Sequence, residues 1–214
     1  MTKKVSQLAR FLIAVDLFIV CMFVLHSAFD LSPGVFNLDG EQVLGAWWGG
    51  GKLLVAGACV ALIPLFARDR LVTGVSIYWA FSIGLAFLSA DEVLMLHERI
   101  TSYNKEYGFG LPMFRGTNGA WVSVYVTLFV LLALIFHRSI LAAMQADPKS
   151  FYTIAGGLAV FVSGAVGAEV MGYYGLLSGK GSPLQLIIEE GLELIGVSVV
   201  LLGCVRHAVS SLTA

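Results

Sequence analysis

Residues 119–137 read GAWVSVYVTLFVLLALIFH, a run without a single Asp, Glu, Lys or Arg. As a helix rising 1.5 Å per residue, it is about 28 Å long, close to the thickness of a bilayer's hydrocarbon core. It is too long and too uniformly apolar for one alternating barrel strand. In lipid each backbone N–H and C=O must be satisfied within the segment itself, so the run is read as a transmembrane α-helix.

Five further stretches of the same character lie on either side of it, at 10–29, 44–67, 71–97, 151–174 and 184–206. The fold class expected is therefore all-α: a polytopic membrane bundle of about six transmembrane helices, one domain over 1–214. Composition agrees, with 58% hydrophobic residues, 13% charged and a mean hydropathy of +0.86. A soluble domain carries charge on roughly a quarter of its residues. A formal net charge of −1 and the lack of a basic stripe exclude nucleic acid as a partner. The opening MTKKVSQLAR is basic, but the apolar run after it outlasts a signal-peptide core, so it is read as an uncleaved first helix. Cys21, Cys59 and Cys204 share no metal-type spacing and read as small buried hydrophobes.

Basic residues set the expected orientation. Lys3, Lys4, Arg10, Arg68, Arg70, Arg138, Lys149 and Arg206 all fall on one side of six spans. Both termini are then cytoplasmic, and the long connection Glu98–Asn118 faces outward, with Tyr103, Tyr107, Phe109 and Phe114 along the membrane surface. Trp47 and Trp48 form an interfacial pair beside Gly49, Gly50 and Gly51. Gly156, Ser163, Gly164 and Gly167 form a small-residue stripe suited to close helix approach.

Half of the 14 acidic residues interrupt these apolar segments: Asp91, Glu92, Glu98, Glu169, Glu189, Glu190 and Glu193. Each charge at helix centre costs about 2.5–3.5 kcal/mol on insertion scales, so protons, basic partners, water or a metal must offset them. In the expected topology these acids, with His97, His26 and Asp30, converge from four helices on one layer near the outer face. On helix 6, Glu189, Glu190 and Glu193 share one arc of about 100°. On helix 3 a regular helix turns Glu92 and His97 to opposite flanks, and a π-bulge there would be needed to aim them together. Ser182 and Pro183 read as the cap and first residue of the last helix. His137 and His207 sit at the opposite rim. Lys52 either snorkels outward or neutralises a carboxylate, and Asp16, in mid-helix, has no evident partner.

Carboxylates with imidazole form a hard O/N ligand set suited to iron, manganese or zinc. The expected ligands are Glu92, His97, Glu169, Glu189, Glu190 and Glu193, around one or two divalent metals. The Glu-x-x-His spacing of di-iron bundles is absent, as are a phosphate loop and a Ser–His–Asp arrangement.

The segments DEVLMLHE (91–98), GAVGAE (164–169) and EEGLELIG (189–196) together resemble an unannotated group of multi-spanning bacterial membrane proteins. The resemblance implies a bacterial inner-membrane location and no particular activity. Three functions stay open: a membrane metalloenzyme, oxidoreductase or hydrolase, acting on a lipid or small apolar substrate; an accessory subunit of a larger complex; and a cation or proton transporter. The bilayer is the expected surrounding, with homo- or hetero-oligomers allowed.

Overall fold

The computed structural model describes residues 2–29, 34–38, 43–67, 74–108, 120–168, 170–171, 174–178 and 181–213. Among them are seven α-helices and no strand: α1 Thr2–Phe29, α2 Leu44–Phe66, α3 Ser76–Leu94, α4 Leu96–Tyr107, α5 Ala120–Ala146, α6 Pro148–Val162 and α7 Pro183–Thr213. A 3-10 turn, Gly34–Phe36, follows α1, and a π-helical segment, Ser163–Ala168, continues α6.

Five helices are long and apolar enough to cross a membrane: Lys3–Phe29, Leu44–Phe66, Ser76–Leu94, Ala120–Ala146 and Pro148–Ala168. Their outward surfaces are apolar, with Leu17, Phe66, Ile83, Phe129, Leu134 and Ile135 all exposed. In water such a surface would aggregate; in lipid it is the solvated face. The last helix, 31 residues long, differs. It carries Glu189, Glu190, Glu193 and Arg206, and it is the hub against which α1, α2, α6 and the π segment pack.

Glycine brings these helices together. A Cβ at Gly157 would lie 2.6 Å from the backbone N of Val200, and one at Gly196 would lie 2.5 Å from the N of Phe161. A Cβ at Gly203 would meet Ile154, and one at Gly164 would come within 2.6 Å of the Glu189 carbonyl. The pairs step in opposite directions along the chain, so α6 runs antiparallel to α7 with backbones nearly touching. On its other flank α2 closes on α3: Ser82 Oγ donates to the Gly57 carbonyl at 2.8 Å. The core between them is one cluster that includes Leu53, Val60, Ile63, Leu85, Val197 and Cys204.

Several boundaries differ from those expected. The segment 71–97 is not one helix: α3 stops at Leu94, and α4 occupies the first half of the expected loop 98–118. The connector 138–149 is helical up to Ala146, since only Asp147 separates α5 from α6. In the small-residue stripe only Gly164 meets the neighbouring helix: Ser163 is exposed, and a Cβ at Gly156 or Gly167 would meet nothing within 4 Å. Gly157, one position along, makes the contact instead. The cap expected at the last helix is present, with Ser182 Oγ accepting the Gln185 N–H at 3.2 Å and Pro183 first in the helix.

Candidate functional site

Charged side chains gather at two levels of the bundle. The first lies midway along α1, α2 and α7. Asp16 is fully buried, and its carboxylate accepts from Trp48 Nε1 at 2.7 Å, Lys52 Nζ at 2.8 Å and Ser198 Oγ at 2.5 Å. The Lys52 ammonium places its other protons on the Leu194 carbonyl, 2.7 Å, and on Ser198 Oγ, 3.0 Å. Lys52 is 3% exposed. It therefore points inward and neutralises Asp16, which answers both open questions about these residues. A buried ion pair is tolerated only when its remaining donors and acceptors are satisfied, and here they are.

The second level is the acidic end, where α3 stops and α7 begins. Met95, with φ 57° and ψ 42°, is left-handed and breaks the helix between α3 and α4. A non-glycine residue there is strained by about 1 kcal/mol or more. Asp91 compensates: its Oδ1 accepts the backbone N–H of His97 at 2.8 Å and lies 3.3 Å from His97 Nδ1. In an unbroken helix these two side chains would point about 120° apart. The helix is thus irregular where a regular one would have turned Glu92 and His97 to opposite flanks, and the break brings His97 to Asp91, which was not among the expected ligands. The His97 ring lies 5.6 Å from Trp121, which stands edge-on to Tyr125, and Tyr125 is within electrostatic reach of Asp91 and Glu92.

Glu92 is half-buried on α3 against the glycine-rich start of α2: a Cβ at Gly50 would lie 3.5 Å from the Cβ of Glu92. One residue earlier, Gly49 faces Leu194 of α7. Glu92 therefore meets α2 one residue along from where Leu194 of α7 meets it. On α7, Gln185 is buried; its Oε1 accepts the Gly181 N–H at 2.7 Å and its Nε2 donates to Glu189 at 3.0 Å. Gly164 packs on both Glu189 and Glu193, one turn apart. Irregular π geometry therefore falls in the continuation of α6, beside these two acids of α7, and not in α3. Glu190 is half-buried on a neighbouring flank of α7.

Of the six expected ligands, the structure brings Glu189 and Glu193 together at the π segment, while Glu92 and His97 belong to the α3–α4 break. Among the described residues no group of three or more His, Cys, Asp or Glu side chains is arranged to hold a metal ion. Glu169, the residue after the π segment, lies outside the described residues. A cleft of about 560 Å³ opens beside this end between α1 and α7, lined by Phe23, His26, Ser27, Asn37, Pro183 and Leu186 among others.

At the opposite end, Asp147 caps α6 by accepting the Ser150 N–H at 3.2 Å and pairs with His207 Nδ1 at 3.1 Å. Partial burial pushes its pKa up, but hydrogen bonds from Ser150 and His207 outweigh burial and hold the carboxyl below its ordinary range. His207 in turn stacks on Tyr78, ring centroids 5.8 Å apart. Read from sequence as a rim residue, His207 is instead a tie between α3, α7 and the α5–α6 junction.

The chain belongs to a family described as a domain of unknown function (DUF8692), whose pattern matches residues 9–208. No curated protein matches it, and no solved structure does.

Proposed function

We propose that this member of the family is a six-span protein of the bacterial inner membrane with cytoplasmic termini, whose acidic end binds a divalent metal ion. The observation that carries the reading is a coincidence of geometry. Two helices abandon regular α geometry at one height, α3 at Met95 and α6 at Ser163–Ala168, and both irregularities border intramembrane carboxylates. Irregular backbone is retained at membrane depth where it serves a site.

Glu189 and Glu193, with Glu169 next in chain after the π segment, are the proposed principal ligands; Glu92, Glu190 and His97 complete the surrounding field. Carboxylates this close in a low-dielectric setting repel, so without a cation most must be protonated. A divalent ion offsets two charges, and iron, manganese or zinc suits this donor set. Such an ion supplies Lewis-acid or redox chemistry to a lipid or small apolar molecule reaching the end through the α1–α7 cleft. The transport reading needs Asp16 as the inner half of a polar path. Asp16 is instead fully engaged by Lys52, Trp48 and Ser198, which counts against it.

Metal content of the purified full-length chain tests the proposal. Near-stoichiometric iron, manganese or zinc is expected, falling with acid because binding releases protons. Glu193→Gln should lose most of the metal while leaving the protein inserted, since an amide is better tolerated in lipid than a carboxylate. If wild-type protein reconstituted with each ion holds none above background, the site is not a metal centre and the accessory-subunit reading takes its place.

A further inference from the structure

The break at Met95 has a second consequence, on the outer side of α4. Phe87 of α3 and Tyr103 of α4 are 16 positions apart, and one straight helix would separate them by about 24 Å. Yet both line one groove of about 430 Å³, together with Leu96, Arg99 and Ile100. The break has turned α4 back against α3.

At 100° per residue α4 has three faces. Thr101 and Asn104 are buried against the bundle. Glu98, Ser102, Lys105 and Glu106 form an exposed polar face. Leu96, Ile100, Tyr103 and Tyr107 form an apolar stripe, with Tyr103 and Tyr107 stacked at 5.7 Å and both largely exposed. Arg99 falls on the boundary between the polar face and the stripe. Such a division belongs to a helix lying in a membrane interface, apolar side to lipid and polar side to water.

We propose that the groove binds one glycerophospholipid with an anionic head group: an acyl chain against Phe87, Leu96 and Ile100, and the phosphate on Arg99. Three observations choose this occupant. The helix that forms one wall, α3, is long and apolar enough to cross a membrane, so acyl chains surround the groove. Its walls are apolar, formed in part by the stems of Arg99 and Tyr103, and Arg99 stands where the apolar stripe of α4 meets its polar face. Arg99 makes no ion pair among the described residues, so its planar fork is available to a phosphate. The inference holds whether or not a metal binds at the acidic end.

Native mass spectrometry of the full chain in detergent, titrated with dioleoyl-phosphatidylglycerol, tests it. One tightly retained lipid is expected, with dioleoylglycerol and inorganic phosphate each binding at least tenfold more weakly. Arg99→Gln should weaken retention about tenfold, the worth of one charge-assisted hydrogen bond, and Arg99→Lys less. Lys105→Gln, on the polar face, should change nothing. Equal retention by Arg99→Gln, an equal loss with Lys105→Gln, or dioleoylglycerol binding as tightly as the phospholipid would each overturn the proposal. If Arg99→Gln fails to fold, the three ligands compared on wild-type protein still decide.

Discussion

The mid-bundle charges and the acidic-end charges share α7 but solve the problem of charge in lipid differently. At mid-bundle one carboxylate meets one ammonium, and Ser198, Trp48 and the Leu194 carbonyl occupy the remaining donors and acceptors. The helices there are regular. At the acidic end several carboxylates gather, Asp91 held by the His97 N–H and Glu189 by Gln185, and two helices are distorted. A matched pair needs no special backbone, because its own geometry satisfies it. A group of several acids is presented by a backbone that departs from regular helix beside it. The first pattern is that of a structural pin, the second that of a site.

The largest effect that could break this contrast is at the pin. Lys52→Met leaves Asp16 ionised and buried, which should destabilise the protein by about 3–5 kcal/mol. Adding Asp16→Asn should restore much of that loss. Thermal unfolding in detergent checks both, and a single variant as stable as wild type would remove the distinction between the two levels.

A smaller effect sharpens the contrast at the acidic end. Gly164→Ala drives a methyl into the Glu189 carbonyl and the Glu193 side chain, and an overpacked contact of this kind costs about 1–3 kcal/mol. Gly156→Ala, in open space two turns away, should be neutral or stabilising by up to about 1 kcal/mol. Paired melting curves decide, and equal curves would show that α6 and α7 do not touch at the π segment.

The smallest effect concerns the far end, where the charges are matched and lie outside the spans. Because the folded Asp147 carboxyl titrates below its ordinary 3.8, its stabilisation is full above that value. It is lost as pH falls through the lower folded value. Asp147→Asn should therefore lower stability at neutral pH, leave strongly acid pH nearly unchanged, and so flatten the acid limb between them. An acid limb unaltered by the substitution would deny Asp147 any part in it.

The all-helical class was legible because hydropathy over about 20 residues reports directly on length in lipid. Five of the six apolar stretches hold a helix long and apolar enough to cross a membrane, although 71–97 also takes in the break at Met95, and Ser182 with Pro183 marked the start of α7. The break at Met95 was not legible, since methionine is a good helix former and nothing local demands φ 57°. Asp91, reaching forward to the His97 N–H, stabilises it, and that bond exists only once the helix has broken. The small-residue stripe was half legible: spacing flagged the right region of α6, but which flank turns toward α7 depends on helix rotation. Hence Gly157 was passed over for Gly156.

By itself, then, the sequence determined that this chain forms long apolar helices and that acids in three segments are too many to lie bare in lipid. Both follow from local composition, because transfer free energy is close to a sum over residues. Only the tertiary structure decided which charges cancel. Asp16 and Lys52 are 36 positions apart, Asp16 and Ser198 182 apart, and their pairing needs three helices at one rotation and one height. The same packing sets Glu189 and Glu193 against Gly164 of the π segment. Electrostatic pairing falls off over a few ångströms, a distance set by packing and not written in the spacing along any one helix.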